Sequence, residues 1–245
     1  MPWVVVGVLV GVGILAHTAP FPFLLDWLHA SRSVWRMPPR DPPTVYLTFD
    51  DGPNPAATPA LLDLLARERV QATFFLIDKH VTDTTAPIVR RIAGEGHALA
   101  LHSHTRRLMF MSPSGLADTL ATASARLEAM TGMPPCNAFR PHAGWRSAMM
   151  LQGVDRQRLR LVGWGWRMWD FDWYRTPNPE RVASRLARRA SNGSIMVLHD
   201  GHHKNPAADR RHTVATVGLL VPRLRARGFA FGTICDAVPR AGAPP

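Results

Sequence analysis

Cysteine is nearly missing from this chain. Its 245 residues hold two, Cys136 and Cys235. They lie far apart and form no C-x-x-C pair, so a zinc site built on thiolates is excluded. One disulfide and two quiet core thiols both remain open. Acidic residues are also short, with 18 Asp+Glu against 29 Lys+Arg and a net charge of +11. That excess favours anionic partners such as lipid headgroups, acidic polymers or a phosphorylated carrier, and a plain solvated basic face is the alternative. The arginines are scattered rather than set among stacking aromatics and no nucleic-acid module is present, so no nucleic-acid partner is expected. No G-x-G-x-x-G opens a helix, which leaves dinucleotide binding without support. A monomer is expected.

Apolar residues are ample, at 46% of the chain, enough to fill the core of one domain. Residues 3–16, "WVVVGVLVGVGILA", carry no charge, and "HTAPFPFLLDWL" extends the apolar stretch to residue 28. No Lys or Arg precedes the run and no small-residue cleavage site follows it, so residues 1–28 read as a single-pass membrane anchor rather than a signal peptide. The nearest positive charges, Arg32, Arg36 and Arg40, follow it. By the positive-inside rule they would keep the bulk of the chain cytoplasmic, although the uncharged start leaves the side of the membrane open. Residues 29–43 are a basic, proline-rich linker, and 44–240 read as one folded domain.

Within that domain seven short apolar runs read as strands: 45–49, 72–77, 97–101, 137–140, 160–164, 194–198 and 229–233. Amphipathic segments separate several of them, opening on Ser, Thr or Asn before Pro and closing on Gly. Such alternation predicts a parallel α/β sheet, closed as a barrel or open and doubly wound. Polar clusters follow five of the strands: Asp50 and Asp51, "HSHTRR" (102–107), "RPHAG" (140–144), "WRMWDFDW" (166–173) and "HDGHH" (199–203). In a barrel these would share the C-terminal rim, where chemistry is carried. Two adjacent carboxylates at the end of a buried strand need a charge partner, because an isolated buried carboxylate costs several kcal/mol.

In this order "TFDDGP", "RPHAG", "DFDW" and "VLHDG" resemble the polysaccharide deacetylase superfamily, the carbohydrate esterases that include chitin and peptidoglycan deacetylases. The likeness runs from about residue 44 to 235. It implies a distorted (β/α)7 barrel and a divalent metal, zinc by preference. By matched position Asp50 would be the general base, Asp51 and His102 metal ligands, and Arg140 the group that orients Asp50. His199 would be the general acid, held by Asp172, and the backbone N–H of Ala143 a candidate oxyanion donor. Trp145, Trp169 and Trp173 are candidate sugar-facing aromatics, with packing as the alternative.

The pattern breaks at the third ligand. The family's metal motif ends in a histidine four residues after the first, and here Arg106 stands there. Arginine has no lone pair for a cation. His104 and His142 are surrogate candidates, and Arg106 is a candidate for a phosphate or carboxylate on the substrate. The resemblance implies a hydrolase removing an N-acetyl or related acyl group from an amino sugar of an envelope polysaccharide; the apolar N-terminus makes it a membrane-anchored one, and the anchor, the basic charge and Arg106 admit a lipid-linked glycan. A catalytically impaired carbohydrate-binding barrel is the alternative that the missing histidine allows.

Overall fold

The computed structural model describes residues 2–18, 33–170 and 177–236. In chain order the elements are α1 (Pro2–Thr18), β1 (Ser33–Val34), β2 (Thr44–Gly52), α2 (Thr58–Arg67), β3 (Thr73–Ile77), α3 (Ala86–Gly94), β4 (Ala98–His102), α4 (Pro113–Thr131), β5 (Ala138–Arg140), α5 (Ala148–Arg156), β6 (Arg160–Val162), α6 (Pro179–Arg189), β7 (Ile195–His199), α7 (Arg211–Ala226) and β8 (Ala230–Phe231). All seven expected strand segments are strands. The two-residue β1 and helix α5 were not foreseen.

Helix ends follow the local chemistry. Ser112 and Asn178 cap α4 and α6 by accepting the N–H groups of Gly115 and Arg181, and each precedes a proline at the first helical position. Gly132, at φ +73°, closes α4.

The sheet runs β1-β6-β5-β4-β3-β2-β7, with β8 beside β2. Every paired strand is parallel. All nine residues of β2 are buried, as expected for a parallel sheet covered on both faces. Its side chains alternate between two clusters. Leu47 and Phe49 join Phe74, Leu76 and helix residues such as Leu61 and Leu220. Tyr46 faces a second cluster with Phe75, Ala100, Ala138, Val162 and Trp164, lining the inside of the curved sheet. Each such aromatic or leucine contributes about 1.5–3 kcal/mol on burial.

The sheet is a parallel half-barrel, the open form of the distorted (β/α)7 barrel expected. Its ends are β1 and β7. Three-residue β6 is flanked by two-residue β1, and only isolated bridges, Arg36 to Ser194 and Trp169 to Val197, reach β7. Part of the stretch read as linker therefore lies on the sheet, and Met37 is buried. Trp35 rests on Gly163 so closely that a Cβ there would sit 2.0 Å from its ring, so only glycine fits.

The expected anchor has no support in the fold. Among the described residues no helix is long and apolar enough to cross a membrane. The 17 residues of α1 span about 25 Å, short of a hydrocarbon core of about 30 Å. Residues 19–32 lie outside the described residues.

Candidate active site

The end of β2 explains the two adjacent carboxylates. Asp50 still pairs in register, opposite Phe75 and His199. The register then passes to Gly52 opposite Leu76, so Asp51 is the extra residue of a bulge. Its φ is +70°. In a regular strand neighbours point to opposite faces, whereas this turn lets both carboxylates serve one cleft. A non-glycine residue held there costs about 1–3 kcal/mol. Neighbours fix the conformation: His80 Nδ1 donates to the Asp51 carbonyl at 3.1 Å and Gly201 N–H to the Asp50 carbonyl at 3.3 Å. A Cβ at Gly201 would lie 2.0 Å from the Asp51 oxygen, so residue 201 must also be glycine.

Asp50 is buried and gripped by Arg140, whose Nη1 donates to its Oδ1 at 2.6 Å. Arg140 is itself wholly buried and makes three further bonds, to Thr48 Oγ1 and to the carbonyls of Val162 and Gly163. Its guanidinium lies 3.9 Å from the Phe75 ring centroid. Burial lowers the Arg140 pKa, and the Asp50 charge opposes that shift. A buried guanidinium held by four hydrogen bonds in this way fixes the direction of the carboxylate.

Beside Asp50, one ligand atom each from Asp51, His102 and His142 lie within 4.8 Å of one another. The register that sets Ile77 opposite His102 and His102 opposite Arg140 brings these loops together. His102 Nδ1 donates to the Arg140 carbonyl at 2.8 Å, which turns Nε2 toward Asp51 Oδ1, 3.3 Å away. His142 begins the short turn His142–Gly144 after β5, and its N–H donates to Ser103 Oγ at 2.7 Å. Burial, with His102, His203 and Arg106 nearby, pushes the His142 imidazole down to about 4, so it is neutral with a lone pair to offer at neutral pH. Burial alone would raise the Asp51 pKa, but His102, His199 and His142 hold it below the ordinary carboxylate range. Asp51 Oδ1 is buried and accepts no hydrogen bond. An orphaned carboxylate oxygen between two imidazoles fits a divalent ion such as zinc or cobalt, with Asp51, His102 and His142 as its holders.

Arg106 lies outside that group, with its guanidinium 4.6 Å from the Trp145 ring centroid. His104 is partly buried and is also outside it.

His199 ends β7, in register with Asp50 on the neighbouring strand. Its Nδ1 lies 2.7 Å from Asp170 Oδ1, and its backbone N–H donates to Asp170 Oδ2, also at 2.7 Å. Burial would lower its pKa, but the charge and hydrogen bond of Asp170, with Asp51 and Asp50 behind, raise it to about 9. His199 is therefore a proton donor at neutral pH. Asp172 and Trp173 lie outside the described residues. The carboxylate the structure sets against His199 is Asp170, a residue without an assigned role in the sequence reading. It lay in the same aromatic motif, but its contact with residue 199 leaves no local signal. Ser103 and the buried Asp200 were also missed. Asp200 accepts from Thr58 Oγ1 at 2.5 Å, and burial pushes its carboxyl up to about 7.

Ala143 takes a left-handed conformation, φ +53°, on the turn that carries His142. Trp145 is half-buried beneath Arg106. Trp169 is bridged to Val197, its ring packed edge-on to Trp166 at 5.7 Å.

Residues 38–162 match the sequence profile of the polysaccharide deacetylases. The chain belongs to that family. It is 34% identical over 194 residues to a chitooligosaccharide deacetylase of Bradyrhizobium sp. (strain ANU 289), covering 76% of this chain and 86% of that one. It is 29% identical over 205 residues to a peptidoglycan-N-acetylglucosamine deacetylase of Bacillus cereus, covering 82% and 91%. Among solved structures, a family 4 acetyl xylan esterase from Clostridium thermocellum in complex with a cobalt ion superimposes with a TM-score of 0.70 at 30% identity, covering 82% of this chain and 93% of that one. This polysaccharide deacetylase is a hydrolase of carbon–nitrogen bonds other than peptide bonds.

Proposed function

We propose that this deacetylase removes an N-acetyl or related acyl group from an amino sugar of a cell-envelope polysaccharide or lipid-linked glycan. The observation that carries the reading is the meeting, at one rim, of three prepared groups: Asp50 held by Arg140, the Asp51–His102–His142 set, and His199 held by Asp170. A bound divalent ion would supply Lewis acidity and make water easier to deprotonate. Asp50, fixed by Arg140, takes a proton from water as it attacks the amide carbonyl. Ala143 N–H is the candidate donor to the developing oxyanion. His199, protonated through Asp170, returns a proton to the departing amine. Asp50→Asn should lower acetate release from N-acetylglucosamine oligomers by at least about a hundredfold. Turnover near the native rate would overturn the assignment.

The impaired carbohydrate-binding alternative drew its force from the missing histidine, and His142 weakens it by completing a three-residue group. The side of the membrane is a second question. Cys136 and Cys235 form a disulfide, with Cα atoms 5.3 Å apart, and such bonds persist in oxidising compartments. That favours an extracytoplasmic enzyme acting on envelope polymer over the cytoplasmic side expected from Arg32, Arg36 and Arg40. The apolar α1, with exposed Trp3, Val5 and Leu9, is proposed to be its point of association with a membrane.

A further inference from the structure

Arg106 occupies the position where the family's metal motif has histidine, and it is exposed at the rim of the cleft. Its guanidinium stacks on Trp145. Stacking uses the face of the planar group and points its N–H fork along the plane, the geometry that meets a carboxylate with two parallel bonds. Trp145 closes the His142–Gly144 turn and Arg106 stands four residues after His102, so the stacked pair borders the metal-ligand group. The whole stretch 103–112, "SHTRRLMFMS", contains no acid. Arg106 thus borders a cleft whose own carboxylates are committed to Arg140, the ligand set and His199. A neutral glycan gains nothing from such a rim, whereas an acidic one gains attraction on approach and a bidentate bond on arrival.

We infer that Arg106, stacked on Trp145, selects amino-sugar chains bearing carboxylates over neutral ones. The inference rests on the proposed deacetylase reading and divides the two substrate classes named for its relatives, chitooligosaccharide and peptidoglycan. Arg106 acts on the neighbouring acidic group and takes no part in the chemistry at the amide.

The test uses three probes on the full chain: peptide-free peptidoglycan strands with free lactyl carboxylates, the same strands with those carboxylates converted to amides, and neutral N-acetylglucosamine oligomers. The native enzyme should prefer the free-acid strands by about tenfold in kcat/KM, carried mainly by KM, a difference of about 1.4 kcal/mol. Arg106→Gln should bring the ratio of free-acid to amidated strands close to one. Arg106→Lys, which keeps the charge and loses the flat fork, should fall between. Equal turnover of free-acid and amidated strands by the native enzyme, or an unchanged preference in Arg106→Gln, overturns the inference. Calorimetric binding of the same strands separates it from the parent reading. Arg106-dependent binding of free-acid strands without deacetylation of any probe would sink the deacetylase reading and leave this one standing. Deacetylation with no Arg106-dependent preference would do the reverse.

Discussion

The pairing of Asp170 with His199 sets the working range of the site. An imidazole alone titrates near 6.5, and the neighbouring carboxylate raises this one to about 9. In the proposed mechanism the protonated form is the competent acid, so turnover should hold through neutral pH and fall as pH rises through about 9. Asp170→Asn removes the charge that holds the proton. Its kcat profile should then lose its alkaline limb at lower pH, below that of the native enzyme. Profiles that superimpose would show that Asp170 does not tune His199. The same residue marks the limit of sequence reading at this scale. Asp50, Asp51, His102, Arg140 and His199 stand in short motifs, and the structure gathers all five at one rim. Asp170 meets His199 only because the 166–170 loop bridges to β7 through Trp169 and Val197, a contact across 28 residues of chain that no local pattern carries.

Strands longer than a few residues announce themselves by apolar content, which is why β2, β3, β4 and β7 were legible. Two-residue β1 stands in no apolar run, unlike the equally short β8 within 229–233, yet it closes one side of the half-barrel: Trp35 sits on Gly163 and packs edge-on to Trp164 at 6.5 Å. Gly163→Ala would push a methyl into the Trp35 ring. It should undock β1 at a cost of about 1–3 kcal/mol, the usual range for overpacking. Faster amide exchange over residues 33–37 and a red-shifted tryptophan emission would report it, whereas unchanged exchange would mean that β1 docks without this contact. Helix α5 was missed for another reason. Its cap is plain, with Ser147 accepting the Met150 N–H, but its apolar face is brief, and of its nine residues Met150, Leu151, Gly153 and Val154 are buried. The bulge at Asp51 likewise has no signature beyond the Gly-Pro that follows it.

At the scale of the whole molecule, the disulfide ties the turn after β8 to the strand that leads into Arg140, across 99 residues of sequence. A loop of that size restrains the unfolded chain by about 4–5 kcal/mol in the chain-entropy account. Reduction, or a Cys136→Ser/Cys235→Ser pair, should lower Tm by roughly 8–20 °C, and an unchanged Tm would mean that the bond contributes nothing to stability. The account as a whole stands on the Asp51–His102–His142 group, because the proposed third ligand at residue 142 would restore metal competence to a family member lacking its usual histidine. The most direct measurement is calorimetric titration of the metal-stripped protein with zinc, beside Asp51→Ala and His142→Ala. One equivalent should bind to the native chain. Asp51→Ala should abolish that binding, and His142→Ala should weaken it at least as much as the roughly ten- to hundredfold that loss of an outer-shell partner costs. Native-like affinity in His142→Ala, or zinc binding indifferent to Asp51, would contradict the account.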